Sequence, residues 1–387
     1  MSRIEQLIAE LCPDGVECQM LVDVAKILYG FPFQSNMFTD DEKYIPLIRI
    51  RDIKQGKGSI YFKGSFSSEF IIKRGDMIVG MDGEFNLNKW NDRDSILNQR
   101  VCKIESKNEN ITNNNYLFHL LIPLFKKIES ETSGSTVKHL SAKAINNISI
   151  PIPPLPIQQE IVRILDTFTD LDAELQAELE ARKKQYEHYR NQLLNFEGKE
   201  VEWKTLGEVG KVCMCKRVMK HETNSSGEIP FYKIGTFGNE ANAYISRELY
   251  DEYKKKFSFP SKGDILISAS GTIGRRVIYD DKPAYFQDSN IIWLSLTNNM
   301  LLNKYLYYIY ETIEWPVEGG TIKRLYNDNF KKIKIPIPPL AEQERLVSIL
   351  DKFEALVNEE LPSEIAARRK QYEYYREKLL TFEPLVS

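Results

Sequence analysis

No stretch of this chain approaches 18 consecutive apolar residues, so no segment has the makings of a transmembrane helix. The amino-terminal MSRIEQLIAELCPDG lacks the basic, apolar and small-residue succession of a secretory leader, and the expected location is cytoplasmic. Cysteine is sparse: Cys12, Cys18, Cys102, Cys213 and Cys215 are odd in number and form no CxxC pair. That argues against a disulfide framework or a zinc site, and it puts Cys213 and Cys215 on one face of a strand rather than around a metal. Charge of either sign is not in excess: 52 Lys and Arg face 55 Asp and Glu, giving a net charge of −3. A strong solitary nucleic-acid binder would be more basic. Catalytic signatures are also missing. There is no GxxxxGK[ST] phosphate loop, no [DN]PP[YF] tetrapeptide and no HExxH, and His119, His139, His188 and His221 are scattered. Ser268 to Gly274 resembles a phosphate cradle only superficially, because it has neither the lysine nor the strand–loop–helix context; a strand-end turn is the better reading.

What the sequence does have is a repeat. IPIPPLPIQQEIVRILD (150–166) returns as IPIPPLAEQERLVSILD (335–351), a lag of 185 residues in a chain of 387. Solenoid periods are ~20–50 residues, so this is a duplicated domain-sized unit. ARKKQYEHYRNQLLNF (181–196) returns as ARRKQYEYYREKLLTF (367–382), GSTVKHL (134–140) as GGTIKRL (319–325), and VECQMLVDV (16–24) as VEWKTLGEV (201–209). Between these anchors the copies diverge. Gly75-Asp76 matches Gly263-Asp264 and Gln99 matches Gln287, both at a lag of 188.

Each copy therefore combines a variable domain with a nearly duplicated helical segment. The variable domains show β-rich runs (YIPLIRIRDI, DMIVGMD and NQRVCKI, then IPFYKIG, GDILISAS and NIIWLSL), followed by helical patterns in YLFHLLIPLF and KYLYYIYETI. The helical segments place apolar residues three and four apart, with one slip near 171–179. Pro362 predicts a kink or break in the second. Both segments begin acidic and end basic, which suits an antiparallel pair, and about 40 helical residues would make a rod of roughly 60 Å. Ile4, Leu7, Ile8 and Leu11 look like a third, truncated copy of the helix end. The predicted division is a helix fragment at 1–13, variable domains at 14–150 and 198–335, and helices at 151–197 and 336–387.

These features resemble the DNA-specificity subunit of type I restriction-modification systems. The residues carrying the resemblance are Pro154-Leu155-Pro156-Ile157-Gln158 and Pro339-Leu340-Ala341-Glu342-Gln343 at the helix starts, RKKQYEHYR and RRKQYEYYR, and LCPDGVE at 11–17. The resemblance spans essentially the whole chain. It implies an α+β fold with two target recognition domains in pseudo-twofold arrangement, separated by an antiparallel pair of long helices acting as a coiled-coil spacer. Each domain would read half of an asymmetric bipartite site on double-stranded DNA. The helices would dock two methyltransferase subunits bringing S-adenosylmethionine, and restriction/translocase subunits would bring ATP and Mg. The chain itself would bind no cofactor or metal and have no catalytic residue. A coiled-coil scaffold that never touches DNA, and a specificity subunit of a methylation-only system, remain the alternatives.

Under this resemblance the candidate DNA contacts in the first domain are Phe33, Gln34, Ser35, Arg49, Arg51, Lys54, Lys57, Asp82, Glu84, Asn86, Lys138 and His139. In the second they are Lys216, Arg217, Lys233, Ser270, Thr272, Arg275, Arg276, Lys323 and Arg324. Arg pairs with guanine, and Gln or Asn with adenine; solvated surface charge is the plainer reading of each. Candidates for docking a partner are Gln158, Tyr186, Tyr189, Arg190, Gln343, Tyr372, Tyr375 and Arg376, although the tyrosines also suit helix packing.

Overall fold

The computed structural model describes residues 3–132, 138–319 and 323–385; residues 134–137 and 320–322 of the two repeated glycine turns lie outside the described residues. The chain divides into two compact units. Unit 1 comprises Met1–Gln176 with Glu364–Ser387, and unit 2 comprises Ala177–Ser363.

The two units repeat one topology even where their side chains differ. In unit 1 an antiparallel sheet runs in the order Ala25–Tyr29, Val101–Ser106, Met77–Gly80, Leu87–Lys89. Unit 2 repeats it as Gly210–Cys213, Ile291–Leu296, Ile265–Ser268, Arg276–Ile278. Cys213 thus ends a strand, and the buried Cys215 lies beyond it. A second sheet in each unit contains a parallel pair, Ile45–Ile48 with Ser95–Leu97 in unit 1 and Ile229–Tyr232 with Tyr285–Phe286 in unit 2. Runs such as MIVG and ILIS are buried at every position, as central strands covered on both faces should be. YIPLIRIRDI is not strand throughout. Its strand stops at Ile48, because the buried Asp52 carboxylate accepts the Arg49 backbone N–H at 2.9 Å and starts a helical turn, Ile50–Ile53.

The proline connectors work as edge strands that lead into helices. Ser149–Pro151 pairs with Cys18–Met20, and Lys334–Ile337 with Glu202–Thr205. Pro151 and Pro336 sit in two-stranded ribbons, where a missing N–H is tolerated. Helices Asn114–Glu131 and Asn303–Thr312 close the cores, and Tyr116 and Tyr305 donate hydroxyl hydrogen bonds to the carbonyls of Pro151 and Pro336 at 3.0 and 3.2 Å.

The long helix Leu155–Leu193 begins in unit 1 and ends in unit 2. Its counterpart does not break at Pro362. Helix Leu340–Ala355 passes through a π turn, Leu356–Glu360, into helix Leu361–Leu380. The repeat explains this turn. Phe168 and Leu171 match Phe353 and Leu356 at a lag of 185, whereas Leu179 and Tyr186 match Ile365 and Tyr372 at 186. The second copy holds one extra residue, and a π turn is how a helix absorbs one. Beyond the turn the packing registers agree again. In unit 1 Tyr375 stacks on Phe168 with centroids 5.5 Å apart, and in unit 2 Tyr189 packs on Phe353 at 5.8 Å. Within unit 1, Asp172 also takes both arms of Arg369 at 2.7 and 3.0 Å, so the two segments run antiparallel there.

Helix Arg3–Leu11 contributes Ile4, Leu7 and Ile8 to the unit 1 core, alongside Leu379, Leu380 and Phe382. Val16 pairs with Pro384 beside them. Gly15 is required there: its φ is +103°, and a Cβ would lie 2.6 Å from the Pro384 carbonyl oxygen.

Candidate nucleic-acid interface

Each unit opens a polar cleft at the carboxyl end of its parallel strand pair, the position where strand ends leave room for a ligand. In unit 1 the cleft is about 650 Å³ and gathers Arg49, Arg51, Lys54, Asp82, Glu84 and Asn86 with Asn98, Gln99 and Arg100. In unit 2 it is about 320 Å³ and gathers Arg217, Lys233 and Arg324 with Lys220, Gln287, Asp288, Ser289 and Asn290. The strand registers align the two clefts. Ile48 pairs with Leu97 as Tyr232 pairs with Phe286, so Arg49 and Lys233 occupy equivalent places, each the first residue after its strand. The same register makes Gln287 the counterpart of Asn98 rather than of Gln99. Met81 N–H donates to the Arg100 carbonyl, and Ala269 N–H to that of Asn290. The intervening turn is therefore 98–100 in unit 1 and one residue longer, 287–290, in unit 2.

Within the unit 1 cleft, Asp82 joins His139 (2.6 Å) and Arg100 (3.4 Å), and Lys54 meets Glu84 at 3.0 Å. Arg49 is half held by buried Asp52 and by Ser59, whereas Arg51 is exposed and has no ion pair among the described residues. In unit 2, Arg217 pairs with Asp288 at 2.8 Å, and Lys233 is exposed.

Several predicted contacts lie elsewhere. Phe33 is buried among Phe31, Phe62 and Phe70, so it is a core residue; Gln34 and Ser35 beside it are exposed but outside the cleft. Lys57 and Lys323 are exposed and do not line the clefts. Lys138 turns its Nζ to the Glu129 carbonyl at 2.6 Å. Ser270 is buried against Asn290 and cannot reach DNA, while the exposed Thr272 offers its carbonyl to the Ser268 hydroxyl. Lys216 lies 5.2 Å over the Phe257 ring, and Arg275 donates to the Phe237 carbonyl at 2.7 Å. Arg276 is withdrawn from the surface: it pairs with Glu311 and stacks 4.4 Å over Tyr307.

The docking candidates also need correction. Gln158 and Gln343 are fully buried and cannot meet a partner. Each makes three hydrogen bonds that weld a helix start to the loop before the core helix. Gln158 accepts from Asn113 N–H (2.8 Å) and donates to the Ile111 (2.8 Å) and Pro153 (2.7 Å) carbonyls. Gln343 accepts from Leu302 N–H (2.9 Å) and donates to Met300 and Pro338, both at 2.8 Å. Tyr186 and Arg190 converge on Glu311 at 3.0 and 2.8 Å, and burial raises the Tyr186 hydroxyl well above its usual range. Tyr372 meets His119 at 3.2 Å, and Arg376 lies over the Tyr372 ring at 5.1 Å. What stays open on the helix ends is Tyr189, Tyr375 and the unpredicted Tyr374, which is 62% exposed.

His119 reaches Asp166 through Nε2 at 2.7 Å. A carboxylate only accepts, so Nε2 carries the proton and Nδ1 accepts from the Tyr372 hydroxyl. Burial pulls the imidazole below its usual pKa, against the opposing pull of Asp166. Unit 2 puts Tyr308 in the same place, bonded to Asp351 and Glu354. Among the described residues, no group of three His, Cys, Asp or Glu side chains is placed to hold a metal, and no helix is long and apolar enough to cross a membrane.

The type I restriction modification DNA specificity domain matches residues 13–181 and again 198–367. S.HindORF215P of Haemophilus influenzae, assigned as a type I restriction enzyme specificity subunit, is 49% identical over 324 residues, covering 79% of this chain and 82% of its own. The EcoR124I/EcoR124II specificity subunit of Escherichia coli is 33% identical over 330 residues, covering 79% and 80%. Among solved structures, a chain from a study of assembly and conformational transition in the type I R-M system superposes with a TM-score of 0.62 at 20% identity, covering 95% of this chain and 98% of that one. The S subunit from M. genitalium gives 0.53 at 15% identity, covering 94% and 96%. With its domain present twice and such relatives along most of its length, the chain belongs to the type I restriction-modification DNA specificity family.

Proposed function

We propose that the chain is the DNA-reading subunit of a type I complex, with each cleft reading one half of an asymmetric bipartite site. The observation that carries this reading is the recurrence of a polar cleft at one topological position in both units, built each time from a cation after the parallel strand and an amide-bearing turn. Cations position a duplex through its phosphates, and amides and guanidinium groups select bases. The two clefts differ in nearly every side chain, which supports two different half-sites. The reading domains are proposed at 14–150 and 198–335, with a helical spacer at 151–197 and 336–387 completed by residues 1–13.

The exposed tyrosines of the helix ends, Tyr189, Tyr374 and Tyr375, suit contact with methyltransferase subunits. S-adenosylmethionine, and ATP with Mg for restriction/translocase subunits, would come with those partners. The test is to map methylated bases genome-wide in cells with and without this chain, expressed with its methyltransferase. Loss of one bipartite motif is the expected result; an unchanged methylome would overturn the reading.

A further inference from the structure

We infer that the turn of Asn98, Gln99 and Arg100 carries the base-selecting side chains of unit 1, with the Gln99 amide and the Arg100 guanidinium as the selecting pair. The inference rests on the DNA-reading role proposed above and assigns it to residues outside the cation-rich segments. Three independent observations converge on this turn. Both side chains are exposed and line the cleft beside Arg49, Arg51 and Lys54. The Gln99 amide has no hydrogen bond among the described residues, so both its donor and its acceptor are open for the two-point contact that distinguishes adenine. Arg100 is anchored through Nε to Asp82 at 3.4 Å and has Nη1 3.4 Å from His139 Nδ1, while its side chain stays 54% exposed, which leaves Nη2 for a guanine edge.

The second observation is rigidity. Gly30 N–H donates to the Val101 carbonyl, Phe31 N–H to that of Leu97, Gln99 N–H to that of Phe31, and Met81 N–H to that of Arg100. Gly30 packs so closely that a Cβ there would lie 1.9 Å from the Asn98 carbonyl oxygen. A reader held this way does not have to be ordered when DNA arrives. The third is local cost. Arg100 has φ +69°, and Ser289 in the matching turn of unit 2 has +53°; they are two of only three non-glycine residues with positive φ among those described. Asn98 Oδ1 is also buried without a partner among the described residues. Unfavourable backbone and an unpaired polar atom retained at the same turn mark a place shaped for something other than stability.

The test uses the full chain assembled with its methyltransferase subunits and a randomised duplex library, with bound sequences and methylated positions read out together. The variants are Gln99→Ala and Arg100→Asn, the latter because asparagine tolerates positive φ. Each should relax one or two positions in one half-site, with roughly tenfold or greater loss of discrimination there, and leave the other half-site and the gap unchanged. Lys54→Ala is the comparator: lysine brings charge to the same cleft without a planar fork, so its loss should weaken binding to all sequences and leave the motif intact. Melting curves confirm that each variant folds; should one fail, the other still decides. An unaltered motif in the folded variants overturns the inference while leaving the proposed function standing. A wild-type complex that enriches no motif overturns both.

Discussion

At the scale of single residues, Gln158 and Gln343 show how a recognisable sequence feature can mislead about its role. A glutamine four residues into each proline-initiated helix suggests a surface contact, yet each side chain is buried and satisfies three backbone groups that would otherwise be orphaned. Gln343→Leu should cost about 2–4 kcal/mol in urea unfolding followed at unit 2, because the paired backbone groups stay buried. A docking residue would instead show unchanged stability and lost assembly. His119 makes a pH-dependent prediction. Its imidazole is held below the unfolded value, so its contribution is fully present above about pH 6.5 and is lost as pH falls through the depressed folded value. Unit 2 has Tyr308 at that place, so hydrogen exchange at pH 5–6 should loosen unit 1 before unit 2. His119→Gln should flatten the difference, and equal loosening in both units would contradict it.

At the scale of elements, the π turn and Pro362 belong together. An ordinary α-helix would bring the Pro362 ring against the carbonyl of Asn358, and the wider π turn just before it relieves that clash. Deleting Asn358 should therefore destabilise the protein by about 3 kcal/mol. Adding Pro362→Gln, which matches Gln176 of the first copy at the lag of 186, should restore it. A deletion tolerated without the second change would separate the two features. The sequence already contained the change of lag from 185 to 186. What it could not indicate was whether the extra residue would break the helix or be absorbed, since that depends on Tyr375 and Phe168 meeting again beyond it.

At the scale of the whole molecule, the duplication was legible from short anchors, and the antiparallel run of the helices in unit 1 from the acidic-to-basic polarity of both segments. The clefts were legible only in part. Arg49, Arg51 and Lys233 stand out as local cations, but Gln99 and Arg100 gain their place through partners at 30–31 and 81–82. The lag drifts there because unit 2 carries a longer turn, so the strongest sequence signal fades where recognition is proposed. With a net charge of −3, the isolated chain should bind DNA weakly, and the assembled complex far more tightly, in a salt-dependent manner. Nanomolar, sequence-specific binding by the chain alone, measured by fluorescence anisotropy, would refute that division. Lengthening the helix that passes from one unit to the other by a heptad after Glu174 should change the tolerated gap between half-sites and leave the half-sites as they were. Sequencing the methylated motif would reveal either outcome.

The meeting of residues 3–16 with 379–385 in unit 1 also governs how the protein is born. Unit 2 is one continuous stretch and is complete on emergence, whereas unit 1, begun first, lacks its second segment and the Pro384 contact until residues 364–385 have followed. At the usual pace of ribosomes that is a wait of about 10–40 s for the older half. A ribosome that stalls after unit 2 holds a chain whose later unit is finished and whose earlier unit is not.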